Sequence, residues 1–221
     1  MEHLKSGSVT IGATNYVISY VLPIVIKEFS KLYPKIEINL TETKSLELEK
    51  MLSDEEIDLF IDSFDFAPTT EECYPLLKEK ILLAVPSNFE CNKGLGKYRY
   101  TPGGECPKVS AKHFENENFI LLKNGNNMHK HAMQIFKKAD IAPNVIYKLD
   151  QLSTAYNLTM LGSGVCFLTD TVFKINPVPD NIVLYDLEES ETRTLYIAKK
   201  KTRFLSHAMS EFIEISKQTI K

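Results

Sequence analysis

Asn118-Phe119-Ile120-Leu121-Leu122, Lys123-Asn124-Gly125-Asn126-Asn127, and then Met128 onward: here a short apolar run passes through a polar, glycine-bearing turn into a helical repeat. Met128, His131, Ala132, Ile135, Phe136 and Ala139 fall on one face of a 3.6-residue period. Asn126 or Asn127 is placed to cap that helix, and Pro143 follows it. Beyond the proline, residues 145–149 read as a strand, 153–161 as a helix and 165–168 as an apolar strand. The same order occurs earlier. Residues 8–13 alternate like a strand, 18–33 are helix-like, 36–40 form a strand, 45–52 a short helix and 57–61 an apolar strand. Each half is strand–helix–strand–helix–strand, a pattern that builds a parallel sheet with helices on both faces. Such sheets take ligands beyond the carboxyl ends of their strands. Two such units joined by crossing segments leave a cleft, where small molecules tend to bind.

The connections fix the expected organisation. Residues 80–86 form a strand ending at Pro86, and 88–112, with Thr101-Pro102-Gly103-Gly104, read as a long surface excursion. Asn176-Pro177-Val178-Pro179-Asp180 breaks the pattern again. Residues 182–187 then carry the chain back, 192–198 form a strand and 204–220 a terminal helix. The expectation is an α/β chain of two Rossmann-like lobes joined by two crossing segments. Lobe I is discontinuous, 1–86 with 185–221, and lobe II is 87–184, with hinges near Val85 to Ser87 and Ile182 to Leu184.

Composition bounds the function. The 221 residues are 43% hydrophobic and 25% charged, which is ordinary for a globular chain, and no apolar run reaches the length of a membrane span. Residues 1–7 carry no apolar signal core, so the expected location is cytoplasmic. A net charge of −3 argues against a strongly basic nucleic-acid surface. For the one dense basic run, Lys199-Lys200-Lys201-Thr202-Arg203, a solvated turn is the plainer reading than phosphate or DNA contact. Cys73, Cys91, Cys106 and Cys166 form no CxxC pair. Cys91 and Cys106 flank a turn-rich segment and could meet, but free thiols suit a cytosolic chain better, and Cys166 reads as a small core residue. No cofactor or metal is implied: His129 and His131 are two apart on a helix and point to different faces.

Several segments together resemble a known family. Ser6-Gly7-Ser8-Val9-Thr10-Ile11-Gly12, Leu22-Pro23, Phe29 with Tyr33-Pro34, Ile57-Asp58-Leu59, and Leu161-Gly162-Ser163-Gly164-Val165 resemble, in order and spacing, the effector-binding domain of LysR-type transcriptional regulators. The resemblance spans about residues 4–220. It implies a fold like that of type 2 periplasmic binding proteins, and a small-molecule effector in the cleft. It also implies a homodimer or higher oligomer, and DNA contact only through an N-terminal helix-turn-helix domain that this chain lacks. Residues 1–5 would be the remnant of the linker to it, and no membrane is involved.

Candidate ligand contacts lie at strand ends. Thr14-Asn15-Tyr16 follow the first strand, where hydroxyls and N–H groups face a ligand, although Thr14 or Asn15 would also cap a helix. Ser63 is favoured within Asp62-Ser63-Phe64-Asp65, whose aspartates also suit turn or cap roles. In the second half, Lys123 is the one cation of its loop able to pair with a carboxylate, and Asn127 opens the helix beside it. Gln151 is in reach of a ligand and Ser153 is a good N-cap. Gly162-Ser163-Gly164 ends a helix, so it reads as a stop and not as a dinucleotide fingerprint.

No nucleophile–base–orienter set appears, so the chain is expected not to be an enzyme. A two-lobed metabolic enzyme and a solute receptor remain the competing classes. The first helix carries Ile18, Val21, Leu22, Ile24, Val25, Ile26 and Phe29, more than one sheet face covers. Either the surplus forms a two-fold interface or it packs beneath the C-terminal helix.

Overall fold

The computed structural model describes residues 7–63, 70–190 and 192–220. Asp65 and the segment 1–6, with its expected linker remnant, lie outside them. The chain divides into unit 1, residues 1–78 with 194–221, and unit 2, residues 79–193.

In unit 1, β1 (Gly7–Ala13) pairs in parallel with β2 (Ile36–Glu42) and with β3 (Leu59–Ser63). β3 pairs antiparallel with β9 (Thr192–Lys200), which gives the order β2-β1-β3-β9. The expected first helix is two helices, α1 (Asn15–Tyr20) and α2 (Leu22–Leu32), because Pro23 sits in the first turn of α2 and forces a new start at Val21. α3 (Ser45–Ser53) packs Leu48 and Leu52 against Ile57, Phe60 and Ala198. Gly12 leaves room for this packing: a Cβ on it would stand 2.6 Å from Ile57 Cδ1, and that side chain would have to shift.

α7 (His207–Thr219) closes the unit, capped by Ser206, whose hydroxyl accepts from Met209 N–H at 3.2 Å. It covers α2: the Phe29 and Phe212 rings meet edge to face, and Tyr33 hydroxyl donates to Glu211 at 2.7 Å. Val25 is fully buried. This part of the apolar surplus is therefore core beneath the C-terminal helix, while Ile18, Ile24 and Ile26 are half-buried.

In unit 2, β5 (Asn118–Leu122) pairs in parallel with β6 (Asn144–Leu149) and β7 (Val165–Thr169). β4 (Glu71–Pro86) pairs antiparallel with β7 and with β8 (Ile182–Asp186). The order β6-β5-β7-β4 repeats that of unit 1 strand for strand, down to the antiparallel fourth strand. α4 (Asn127–Ala139) buries Met128, Ala132, Ile135, Phe136 and Ala139, as its period requires. Phe119, Phe136 and Phe167 cluster beneath it, with Phe119 and Phe136 perpendicular at 4.9 Å. His131 is half-buried and not the core histidine that the period suggests.

α5 (Leu152–Met160) ends as expected at Gly162, φ 81°, with Gly162 N–H on Thr159 C=O and Ser163 N–H on Leu158 C=O. The excursion 88–112 holds three short 3-10 turns and strand-like bridges from Arg99 and Val109 to Tyr185 and Leu187. A four-residue helix α6 (Val172–Ile175) follows β7.

The division between units falls at 78/79 and 193/194, not at 86/87 and 184/185. β4 runs unbroken to Pro86, and residues 82–86 are tied into unit 2 by β8. Pro86 ends a strand there; it does not mark a crossing.

The basic run is engaged inside unit 1. Lys199 pairs with Glu72 at 2.9 Å and Lys200 with Glu55 at 2.9 Å, while Arg203 pairs with Asp58 and donates to Ile57 C=O. It is a set of intra-unit ties, and Lys199 is buried, unlike a side chain of a solvated turn. All four cysteines are free thiols, and Cys166 is fully buried.

Candidate functional site

Each unit gathers polar side chains where its parallel strands end. In unit 1 the registers Ala13↔Glu42 and Ala13↔Ile61 place the ends of β1, β2 and β3 side by side. Thr14 follows β1, is buried, and occupies the N-cap position of α1 without a side-chain capping bond; its C=O accepts from Ile18 N–H. Asn15 donates to Glu42 at 3.2 Å across the ends of β1 and β2. Ser63 closes β3, is buried, and its N–H donates to the Asp62 carboxylate at 2.8 Å. Tyr16 is buried with its ring near that of Tyr20, so it lines the packed side of α1.

In unit 2 the register Leu122↔Leu149 sets Lys123 beside Asp150. Their side chains form an ion pair at 2.6 Å, each about half exposed. The cation that sequence reasoning reserved for a ligand thus has a carboxylate neighbour, and that carboxylate was not among the sequence candidates. Asn126, not Asn127, caps α4, accepting from Met128 N–H at 2.9 Å; Asn127 is the first helical residue. Gln151 holds the N-cap position of α5, again without a side-chain capping bond. Ser153 lies two residues past that position, inside the helix, and does not cap it. The helix begins at Leu152 because Gln151 is already extended, at φ −118° and ψ 134°. His129 bonds the Leu122 C=O at 2.7 Å and fixes the end of β5 against α4.

The third strand end of unit 2 escaped the sequence reading. Thr169 closes β7 as Ser63 closes β3, with Asp170 and Thr171 just beyond, and the repeat itself was the signal that could have found them. Thr169 donates to Glu79 at 3.2 Å, and Glu79 accepts from Arg193 Nε at 2.8 Å, all three buried. Burial pushes the Asp170 carboxyl up from its ordinary value, opposed by the Lys80 backbone N–H that it accepts. The Thr171 hydroxyl is buried and has no hydrogen-bond partner among the described residues. No cluster of three or more His, Cys, Asp or Glu among the described residues could hold a metal ion.

An α/β chain of two units, each with hydroxyls, amides and charges collected at the carboxyl ends of parallel strands, defines the small-molecule-binding class of folds related to periplasmic binding proteins. Within that class the chain belongs to the LysR substrate binding domain family, whose model matches residues 2–221. It is similar to two regulators of Bacillus subtilis (strain 168). The HTH-type transcriptional regulator YcgK is 27% identical over 218 residues, a match over 96% of this chain and 67% of that protein. The transcriptional dual regulator GltC is 27% identical over 212 residues, over 94% of this chain and 66% of that protein. The chain thus spans about two thirds of the length of these relatives. Among solved structures, the Synechocystis PCC6803 CcmR regulatory domain in complex with 2-PG superposes with a TM-score of 0.82 at 17% identity, covering 98% of each chain. The effector binding domain of QuiR in complex with shikimate superposes with a TM-score of 0.76 at 16% identity, covering 96% of each chain. Among the described residues no helix is long and apolar enough to cross a membrane.

Proposed function

We propose that the chain binds a small polar effector through side chains at the carboxyl ends of its parallel strands. Thr14, Asn15 and Ser63 contribute from unit 1, and Lys123, Asn127, Gln151 and Ser153 from unit 2, with Tyr16 as the packed backing of the first loop. The observation that carries this reading is the repeated strand order, which brings polar side chains to the carboxyl ends of equivalent parallel strands in both units. Similarly folded domains solved with 2-PG and with shikimate support a small anionic metabolite as the ligand class. An anion reaching Lys123 meets an ammonium already paired with Asp150, and the three N–H donors of Lys123 allow it to share that cation or to displace the carboxylate.

The chain acts in this reading as the sensing part of a cytoplasmic transcriptional regulator and performs no covalent chemistry. DNA is contacted by a separate helix-turn-helix domain of the longer protein. A homodimer forms over α1 and α2, where Ile18, Ile24 and Ile26 are half-buried and Leu32 is exposed.

A thermal-shift screen of hydroxy acids and phosphorylated hydroxy acids tests the effector. A true ligand at a hundredfold its Kd raises stability by about 2.7 kcal/mol, and Thr14→Val weakens that ligand by about 1 kcal/mol, roughly fivefold. A ligand that binds Thr14→Val, Ser63→Ala and Lys123→Met as tightly as the wild type places the effector elsewhere. Turnover of a metabolite, abolished by one of these changes, overturns the regulator reading. For the dimer, sedimentation of Ile24→Asp should show a folded monomer where the wild type is dimeric.

A further inference from the structure

Three consecutive residues of β4, where the strand enters unit 2, are each held by a side chain. The Glu79 carboxylate is fully buried and accepts from Arg193 Nε at 2.8 Å and from Thr169 hydroxyl at 3.2 Å. Lys80 is bonded in both directions to Asp170: its N–H donates to the carboxylate at 3.0 Å and its C=O accepts from Asp170 N–H at 3.1 Å. The Ile81 C=O accepts from the buried Ser190 hydroxyl at 2.8 Å. The partners named here come from the carboxyl end of β7 and the segment at the start of β9, and the Lys80 ammonium also reaches Asp186 at the end of β8, at 3.5 Å.

The position of the ion pair is specific. Glu79 and Arg193 are the first and last residues of unit 2, so the pair stands where both strands cross the boundary. With side chains 6% and 0% exposed, Arg193 and Glu79 meet out of reach of water. A buried pair of this kind gives little net stability over apolar residues of the same size, because desolvation offsets the attraction. Breaking one partner, by contrast, leaves a buried charge uncompensated. Such a pair resists partial opening more than it favours the fold, which is the property required of a fastening.

We propose that Glu79, Arg193, Thr169, Asp170 and Ser190 form a clasp that fastens both crossing strands to the carboxyl end of β7, so that a change at that strand end reaches the 78/79 and 193/194 crossings together. Thr169 is the link. It closes β7, the parallel neighbour of β5, whose end carries the effector candidate Lys123, and its hydroxyl rests on the same carboxylate that holds Arg193. This inference rests on the effector reading for its consequence, since it describes how occupancy would be transmitted; the clasp itself needs no ligand.

Hydrogen exchange read by mass spectrometry on the ligand-free 221-residue chain tests it. In Glu79→Gln, peptides covering β4 up to Lys80 and β9 should exchange about tenfold faster or more, while β1 and β5 keep wild-type rates. Thr169→Val should speed the same two strands by a smaller factor. The paired replacement Glu79→Leu with Arg193→Met leaves no charge unpaired. It should melt near the wild-type temperature yet retain fast exchange in both crossing strands, and it serves if Glu79→Gln does not fold. Uniform acceleration in every peptide would reduce the cluster to a stability element. Unchanged exchange in Thr169→Val, or wild-type exchange in the paired variant, would overturn the clasp. Because no ligand enters the measurement, a chain that binds no small molecule leaves this outcome intact, and a failed clasp leaves the effector reading standing.

Discussion

The Phe29 and Phe212 rings meet edge to face with centroids 5.4 Å apart, and this contact joins two helices that lie at opposite ends of the chain. Both side chains are fully buried, and Val25, one turn before Phe29, is buried with them. Phe212→Ala should cost about 3–5 kcal/mol. Val25→Asp should unfold the chain, because it would bury a carboxylate at a position fully excluded from water. Thermal melts followed by circular dichroism decide this. A cooperative, folded Val25→Asp chain would place that residue on a surface.

Gly164 lies against β5 so closely that a Cβ would stand 2.5 Å from the Asn118 carbonyl oxygen. Backbone cannot move aside as a flexible side chain does. Gly164→Ala should lower stability by about 1–3 kcal/mol, whereas Gly96→Ala, with open space around its Cβ position, should be neutral or slightly stabilising. Urea midpoints of the two variants should differ in that order, and equal midpoints would contradict the packing described.

Asp140 terminates α4 in the left-handed conformation, at φ 54°. Glycine adopts that conformation without the steric penalty of a Cβ. Asp140→Gly should therefore raise stability by about 0.5–1 kcal/mol, measured by denaturant unfolding; a loss of stability would mean that the aspartate side chain compensates the strain.

Burial raises the Asp170 carboxyl above its ordinary 3.8, so the folded chain binds that proton more tightly than the unfolded chain does. The sign follows: the contribution to stability falls as pH rises from the unfolded value through the raised folded value, and the deficit persists above it. Asp170→Asn keeps an acceptor for the Lys80 N–H and removes the charge. The melting temperature of the variant minus that of the wild type should therefore increase between about pH 3 and about pH 7. A constant difference would show that the carboxyl titrates alike in both states.

Burial pushes the Cys166 and Cys91 thiols up to about 12, and Glu117 adds to the effect at Cys91. At about pH 8 only ~1 in 10,000 of either thiol is then thiolate. A disulfide reagent should leave both unmodified in the native chain and titrate four thiols after denaturation. Rapid native labelling of Cys166 would show that β7 opens.

The parallel cores of both units were legible in the sequence because their elements are locally consistent. β5 and α4 begin and end where the apolar run and the helical period place them, since turn, cap and period all agree at Asn126 and Met128. The first half of β4 was invisible. Glu71, Glu72, Lys78, Glu79 and Lys80 crowd around Pro75 and the adjacent pair Leu76-Leu77, so no period-2 alternation shows, and their charges are satisfied from far along the chain, by Lys199 and Arg193. The same distance effect hid the site partners: Asp150 beside Lys123 depends on strand register, and Thr169 on Glu79 depends on an antiparallel neighbour. Ser153 has the chemistry of a cap, but Gln151 already holds the backbone that starts the helix.

Each sheet borrows its fourth strand from outside its own run of parallel strands, and the two loans fall due at different times on the ribosome. Unit 2 has all of its strands by residue 193, with β4 made before the strands it joins. Unit 1 is begun first, yet it waits for β9 and α7, which emerge last. The N-terminal half should therefore be the later to gain protease resistance during synthesis, standing open with the α2 face uncovered while the middle of the chain is already folded.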